Sequence, residues 1–237
     1  MKSLGFEQCA ADACVMRLVE SRSVSMVTVV HVDDIFAVGL KSRCDEFCED
    51  LNRLVPINNL SELRWYAGCR FSRDWGAGTL KISQQAFAEK TAAKFGVSSG
   101  RSTPLPTGLK LELFDADEPE GGWPFRELVR CLMWLTNQTR PGISNAVRAV
   151  ARYASAPREI HWRTAIGVLE YVFCTSEFGI TFQNGGGLEL VAFADADYAS
   201  KATDSRSVPG GAIMCAGASV CWFFRTQKSV TLSTTEA

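Results

Sequence analysis

Residues 26–39 read Met-Val-Thr-Val-Val-His-Val-Asp-Asp-Ile-Phe-Ala-Val-Gly in a chain of 237 residues. Val, Ile and Phe are typical of β-strands, so the apolar residues on either side of Asp33 and Asp34 predict two strands joined by a two-residue turn. An Asp-Asp turn is unusual, because tight hairpins favour Asn-Gly or Asp-Gly and because two adjacent carboxylates repel each other. A local misfit of this kind often marks a functional site.

Helices and strands alternate after this hairpin. The spacing of apolar residues over 44–55 predicts a helix that packs on the hairpin and ends at Pro56. A second hairpin is predicted over 65–82, around a glycine-containing turn. Ser83 is expected to cap the helix that follows, as far as Phe95.

Residues 101–124 are rich in proline, glycine and acidic residues and show no periodicity, which predicts a linker. Three amphipathic helices are predicted by the helical spacing of apolar residues over 125–135, 143–150 and 162–173. From Phe178 the pattern changes to short apolar strands separated by glycines, so a second sheet is predicted to begin there. The strands are Ile180–Phe182, Leu188–Phe193, Gly211–Cys215 and Val220–Phe224. The predicted fold class is therefore a multidomain chain of α+β or α/β type.

Composition favours a folded protein. Apolar residues make up 46% and charged residues 22% of the chain, so a substantial core can form. No apolar run approaches the roughly 20 residues that a membrane helix needs, and the first ten residues lack a basic start followed by an apolar signal core. We therefore expect a soluble, intracellular protein without a membrane partner.

The nine cysteines are scattered, form no Cys-x-x-Cys pair, and could be joined as zinc ligands only by His31 and His161. A structural zinc site is not expected from this spacing. Cys44 and Cys48 lie one helical turn apart among apolar residues, which favours reduced thiols that act as small hydrophobic residues.

The formal net charge is −1, so the chain as a whole does not attract nucleic acid. Any such contact must be local, and the best candidate is the basic stretch from Arg140 to Arg163, which contains a single acid, Glu159. Within it, Arg148 and Arg152 share a helix face. A solvated helix face is the ordinary interpretation of a charge run, and both interpretations stay open at this point.

The stretch from His31 to Ile35, His-Val-Asp-Asp-Ile, resembles the Tyr-Val-Asp-Asp box of reverse transcriptases. Further short motifs, before and after this box, occur in the order expected for a Pol polyprotein of Ty1/copia-type retrotransposons. Together they extend over nearly the whole chain. They include Leu4-Gly5-Phe6, Asp12-Ala13-Cys14, Asn59-Leu60-Ser61-Glu62-Leu63, Ile82-Ser83-Gln84, Ser102-Thr103-Pro104-Leu105-Pro106, Thr139-Arg140-Pro141-Gly142-Ile143-Ser144, His161-Trp162, Leu169-Glu170-Tyr171, Ala194-Asp195-Ala196-Asp197-Tyr198, Ser205-Arg206-Ser207, Lys228-Ser229-Val230 and Leu232-Ser233-Thr234-Thr235-Glu236-Ala237. The chain thus resembles the end of a reverse transcriptase followed by the beginning of an RNase H.

By this resemblance, Asp33 and Asp34 occupy the palm hairpin of a polymerase that uses two Mg²⁺ or Mn²⁺ ions. His31 stands where the family usually has Tyr and would pack near the primer end; an ordinary core or surface histidine is the alternative. The family's other palm aspartate and its nucleotide-gripping fingers are expected upstream of Met1. We therefore expect no processive polymerase activity from this chain.

The resemblance also implies an RNase H site, in which Asp195 lies at the end of a central strand and Glu236 on the helix after the last strand. Both would be metal ligands for hydrolysis of the RNA strand in a hybrid. Asp197 is either a further acid of this site or a solvated turn residue. A later aspartate of the family is expected beyond Ala237, so each of the two sites would lack a ligand.

The three predicted helices fall where the family has its thumb and connection, which grip primer and template. Phosphate contacts are accordingly expected at five basic residues: Arg148, Arg152, Arg206, Arg225 and Lys228. The implied partners are an RNA template, a DNA primer, an RNA-DNA hybrid and the remaining parts of the polyprotein. The implied location is a cytoplasmic particle or the nucleus.

The resemblance divides the chain into four parts. Residues 1–97 would be the C-terminal part of the palm, 98–124 a linker, 125–178 the helical thumb and connection, and 179–237 the N-terminal part of an RNase H-like mixed sheet. The main alternative is a non-catalytic nucleic-acid-binding module or an inactive relic of a retroelement. A freestanding nuclease is a third interpretation, which the truncated last helix disfavours.

Overall fold

The computed structural model describes residues 1–111, 121–197, 207–225 and 227. The chain divides into two compact units, Met1–Ala67 and Gly68–Ala237. Both combine helices with antiparallel sheets, so the mixed α and β class predicted from the sequence is confirmed. Within the described residues, every helix is too short or too polar to cross a lipid bilayer.

The first unit is built on a four-stranded antiparallel sheet in which neighbours along the chain are neighbours in the sheet. A short 3₁₀ helix, Lys2–Leu4, precedes it. The strands are β1 (Phe6–Gln8), β2 (Val15–Glu20), β3 (Ser23–His31) and β4 (Asp34–Gly39). The predicted hairpin around the two aspartates is therefore present as β3 and β4.

Helix α1 (Lys41–Leu54) follows the hairpin and contacts both of its strands. Phe47 and Leu51 are one helical turn apart and are both buried, together with Met26 of β3. The predicted helix, its end before Pro56 and its packing on the hairpin are confirmed. A two-residue strand, β5 (Trp65–Tyr66), lies near the end of this unit.

The core of the second unit is helical. Its helices are α2 (Gln85–Lys94), α3 (Phe125–Gln138), α4 (Ser144–Ala151) and α5 (Glu159–Cys174), with a 3₁₀ helix at Pro141–Ile143. The apolar positions that predicted α3, α4 and α5 are the buried ones, among them Leu128, Leu132, Val147 and Leu169. The predicted cap of α2 is wrong: Ser83 ends a strand, and the helix begins without a side-chain cap.

The predicted second hairpin is present as β6 (Cys69–Asp74) and β7 (Thr79–Ser83). Strand β8 (Gly179–Gln183), which follows α5, pairs antiparallel with β7. The expectation that Ile180–Phe182 opens the last sheet is therefore wrong. An isolated two-stranded hairpin is marginally stable, and β8 extends it with two further apolar side chains, Ile180 and Phe182.

The last sheet is antiparallel and its described strands are β9 (Leu190–Asp197), β10 (Val208–Cys215) and β11 (Ala218–Phe224), with β10 in the middle. The indole N–H of Trp222 donates to the carbonyl of Thr136, 2.8 Å away on α3. This bond fixes β11 against the helical core.

The predicted linker has no helix or strand over its described residues, 98–111 and 121–124, yet it packs along α5. Arg101 forms an ion pair with Glu170 at 2.9 Å. The Nε2 atom of the fully buried His161 lies 3.0 Å from the carbonyl oxygen of Leu111. The segment is therefore part of the folded unit.

Candidate active site

The tip of the hairpin formed by β3 and β4 carries the two predicted carboxylates. His31 pairs directly with Asp34, so the two turn residues are Val32 and Asp33 rather than Asp33 and Asp34. The predicted turn was displaced by one residue because the strand register places Asp34 opposite His31. Val32 has a φ of +53°, which is rare for a β-branched residue. Residues in such conformations cluster at functional sites.

Aromatic rings support the hairpin behind its tip. The ring of Tyr66 meets that of His31 edge to face, with 6.2 Å between their centres, and that of Phe36 at 5.8 Å. Burial raises the pKa of the Tyr66 hydroxyl, and the negative charge of Asp34 raises it further. Tyr66 therefore lies close to both strands of the hairpin and to one of its two acids.

His31, Asp33 and Asp34 are all exposed. Mg²⁺ is commonly held by one or two protein carboxylates, with water and substrate phosphates as its other ligands, so two adjacent exposed aspartates fit part of such a site. In the part of the chain that the structure describes, no cluster of three or more His, Cys, Asp or Glu side chains could hold a metal ion. The hairpin tip therefore presents two exposed carboxylates.

The second candidate, Asp195, lies on β9 and lines a cleft of about 640 Å³. One wall is the sheet, including Phe193 and Trp222, and the other is the start of α4 with Pro141 and Asn145. Among the described strands, β9 pairs with β10, which also pairs with β11. The expected place of Asp195 at the end of a central strand stays a prediction.

Glycine opposite Asp195 gives the cleft its shape. Gly210 pairs with Asp195 on one side and with Phe224 on the other. A Cβ atom at Gly210 would lie 2.6 Å from the Phe224 ring, so a larger residue would push that ring aside. The cleft therefore combines a carboxylate with closely packed aromatic walls.

The predicted phosphate contacts lie in different surroundings. Arg148 is half-buried and donates to the Asn145 side chain at 3.0 Å, which places it beside the Asp195 cleft. Arg152 is exposed and lies over the ring of Tyr153, and Arg225 is exposed directly after β11. The other three predicted site residues lie outside the described part of the chain: Arg206, Lys228 and Glu236.

The basic stretch is smaller than the sequence suggested. Arg140 is only 5% exposed and donates to the carbonyl and the hydroxyl of Thr175, at 2.9 and 2.5 Å. Burial lowers the pKa of its guanidinium group. Arg163 forms an ion pair with Glu159 at 2.5 Å. Arg140 therefore holds the end of α3 to the end of α5 and offers no surface for phosphate.

Sequence reasoning missed the side chains that surround the acids. Tyr66 lies more than thirty residues after the Asp-Asp motif, and nothing in the local sequence indicates that its ring contacts His31. The apolar pattern predicts Trp222 and Phe224 as residues of a strand and does not reveal that both line the Asp195 cleft. Their alternation on β11 places them on one face, which was the available signal.

The fold and these two acidic sites define an α+β chain with an exposed Asp-Asp hairpin and a carboxylate-containing cleft. The chain is 28% identical over its whole length to the retrovirus-related Pol polyprotein from transposon TNT 1-94 of Nicotiana tabacum, of which it covers 18%. It is 28% identical over 99% of its length to that from transposon RE2 of Arabidopsis thaliana, of which it covers 16%. It is also 26% identical over 85% of its length to a transposon Ty5-1 protein of Saccharomyces cerevisiae, of which it covers 66%.

Over nearly its whole length the chain is thus homologous to Pol polyproteins of Ty1/copia-type transposons, as the motifs predicted. It spans less than a fifth of the length of the first two relatives. No protein-family profile matches the chain. No solved structure matches it significantly.

Proposed function

We propose that this chain is part of a reverse transcriptase and RNase H, with Asp33 and Asp34 as metal-binding carboxylates of the polymerase palm. The observation that carries the proposal is an exposed Asp-Asp hairpin tip in a chain that is similar along its whole length to Pol polyproteins. Helices α3 to α5 would then be the thumb and connection, and β9 to β11 the start of the RNase H sheet. The proposed palm, residues 1–97, extends across the boundary between the two compact units.

The hairpin offers part of the ligand set that a divalent ion requires. Asp33 and Asp34 offer carboxylate oxygens that remain exposed, and a bound nucleotide would supply phosphate oxygens. A Mg²⁺ or Mn²⁺ ion held by these two carboxylates would supply charge stabilisation for the transferring phosphate. The protein's own contribution is positional: Tyr66 packs against His31 and Phe36 and keeps both strands behind the two acids in place.

Arg148 and Arg152 are the proposed contacts to the phosphate backbone. They lie one helical turn apart at the end of α4, and Arg148 adjoins the cleft that contains Asp195. In this proposal the partner is a primer on an RNA template or an RNA-DNA hybrid, held without regard to sequence. The remaining parts of the Pol polyprotein would complete the assembly.

Binding of a labelled RNA-DNA hybrid, followed by fluorescence anisotropy at several salt concentrations, tests this proposal. Replacing both Arg148 and Arg152 with Gln should weaken binding and reduce the salt slope by about 2, because two phosphate contacts are lost. Replacing Arg126 and Arg130 with Gln is the matched control, because it removes two positive charges one turn apart on α3. Equal losses in both variants would contradict a specific role for Arg148 and Arg152.

In the RNase H part, Asp195 is proposed as one metal-binding carboxylate, with Glu236 as the second. The cleft beside Asp195 has room for a strand of nucleic acid to approach the acid. Arg206, Arg225 and Lys228 are proposed to contact the backbone of the hybrid near this cleft.

A non-catalytic nucleic-acid-binding module or inactive relic is the second candidate. It is favoured by the finding that the described residues contain no cluster of three metal-binding side chains. The variant Asp195→Asn distinguishes a catalytic site from a non-catalytic module. A catalytic site predicts that the variant changes the divalent-ion dependence of hybrid binding, whereas a non-catalytic module predicts unchanged binding at every ion concentration.

A further inference from the structure

The end of the sheet formed by β6, β7 and β8 carries a cavity that the proposed sites do not use. Arg73, Leu80 and Phe182 pair across the three strands and so lie in one row on the same face. Trp75, in the loop after β6, lies beside this row and is 74% exposed. The guanidinium carbon of Arg73 lies 4.7 Å from the centre of the Trp75 ring. A planar cation thus lies over an aromatic ring in the lining of an apolar cavity of about 290 Å³.

The loop that carries Trp75 is held by its own hydrogen bonds. Asp74 accepts a bond from the N–H of Ala77 at 2.9 Å, and the N–H of Asn184 donates to the carbonyl of Gly78 at 2.8 Å. Gly78 has a φ of +64°, a left-handed backbone conformation that residues other than glycine rarely adopt. The loop is therefore ordered before any ligand arrives, so binding would not have to order it.

We infer that this cavity is a stacking site for an unpaired nucleobase of single-stranded RNA or DNA. Exposed aromatic rings next to arginine are the groups on which such bases stack, because every base has a flat face. The amides of Gln183 and Asn184 also line the cavity and can bond to the edges of a base. The inference rests on the proposed function only in the choice of nucleic acid as partner.

Charge and size favour this partner over an apolar peptide. Within the described part of the chain, Arg73 has no ion pair with an acid, so its charge is available to a phosphate. A cavity of about 290 Å³ accommodates one flat ring rather than a row of side chains. Bases inside a duplex are already stacked on their neighbours, so the site should prefer single strands.

Binding of a labelled single-stranded RNA of uniform sequence, measured by anisotropy, tests the inference. Trp75→Ala should weaken binding about tenfold, within the range expected for one stacked base. Trp75→Phe should keep most of the affinity because it keeps an aromatic face. A duplex of the same length should bind the wild type and Trp75→Ala equally. Wild-type affinity of Trp75→Ala for the single strand, or an equal loss on the duplex, would overturn the inference.

Arginine variants give a second, charge-based test. Arg73→Gln should weaken single-strand binding several-fold and reduce its salt slope by about 1. Arg70→Gln is the matched control, because Arg70 is exposed on the same strand but on the opposite face of the sheet. Equal effects at Arg70 and Arg73 would overturn the stacking site. The Arg148 and Arg152 variant should lose hybrid binding but keep the affinity for single strands that depends on Trp75. This result would show that the stacking site and the proposed function can fail independently.

Discussion

The two acidic sites differ in what holds them in place. Asp33 and Asp34 lie at the tip of a hairpin whose strands are consecutive in sequence and directly paired. Asp195 lies on strand β9, and the cleft in front of it is closed by the start of α4, some fifty residues earlier in the chain. The first site is a local structure, whereas the second depends on packing between distant segments.

This difference also appears in the cores behind the two sites. The first unit has a small core around Phe47 and Leu51 of α1, whereas the second has a larger one in which Leu132 and Leu169 are fully enclosed by α2 to α5. Fully enclosed side chains leave larger cavities when they are shortened. The cleft site should therefore be the more sensitive one to changes in the core.

Shortening one leucine in each core makes this comparison quantitative. Leu132→Ala should lower the free energy of unfolding by about 3–5 kcal/mol, because the side chain is completely buried. Leu51→Ala, at 8% exposure on α1, should cost about 2 kcal/mol. Urea denaturation measures both, and Met133→Ala on the exposed face of α3 is the control. A larger loss from Leu51→Ala would reverse the comparison.

A long-range hydrogen bond, from the Trp222 indole to the carbonyl of Thr136, links one wall of the cleft to α3. Trp222→Phe removes the donor and should lower the free energy of unfolding by about 1 kcal/mol. Hydrogen exchange of the β11 amides should become faster at the same time. Trp134→Phe on α3 serves as the control for the loss of an indole. If the two variants have equal stability and equal exchange, this bond does not hold the wall of the cleft.

The hairpin should show the smallest effect, through the pKa of Tyr66. Asp34→Asn removes a negative charge that helps to raise this pKa, so Tyr66 should ionise at lower pH in the variant. A spectrophotometric titration, with Tyr66→Phe subtracted to isolate one of the four tyrosines, measures the change. Asp33→Asn should lower the pKa less. Because the pKa of Tyr66 is raised in the folded state, its contribution to the free energy of unfolding should be fully present below the ordinary pKa of tyrosine. This contribution should be lost as the pH rises above that value.

Elements defined by short-range periodicity could be predicted from the sequence. Helices α1, α3, α4 and α5 follow the spacing of their own apolar residues, and the hairpin follows two consecutive apolar runs. What could not be predicted was pairing between distant segments. The partner of β8 is β7, about a hundred residues earlier, and no local pattern in 179–183 distinguishes that partner from β9.

The same limit applied to the sites. The identity of the acids was visible in the sequence, but the turn was displaced by one residue because register is set by pairing along the whole of β3 and β4. Arg140 was grouped with the surface arginines because a sequence does not reveal that its guanidinium group meets Thr175. The aromatic neighbours of Asp195 lie on strands whose sequence pattern shows which residues share a face. That pattern does not show what the face packs against.

The central claim, that Asp33 and Asp34 bind a divalent ion, can be tested directly by NMR. The chain has only two histidines, so the ring signals of His31 and His161 can be assigned with a single His31→Gln variant. Mn²⁺ is paramagnetic and broadens the signals of nuclei near it. We predict that Mn²⁺ broadens the His31 signals at concentrations that leave the buried His161 unchanged, and that the Asp33→Asn, Asp34→Asn double variant abolishes this broadening. His31 signals that do not respond to Mn²⁺, or that broaden equally in the double variant, would contradict the claim.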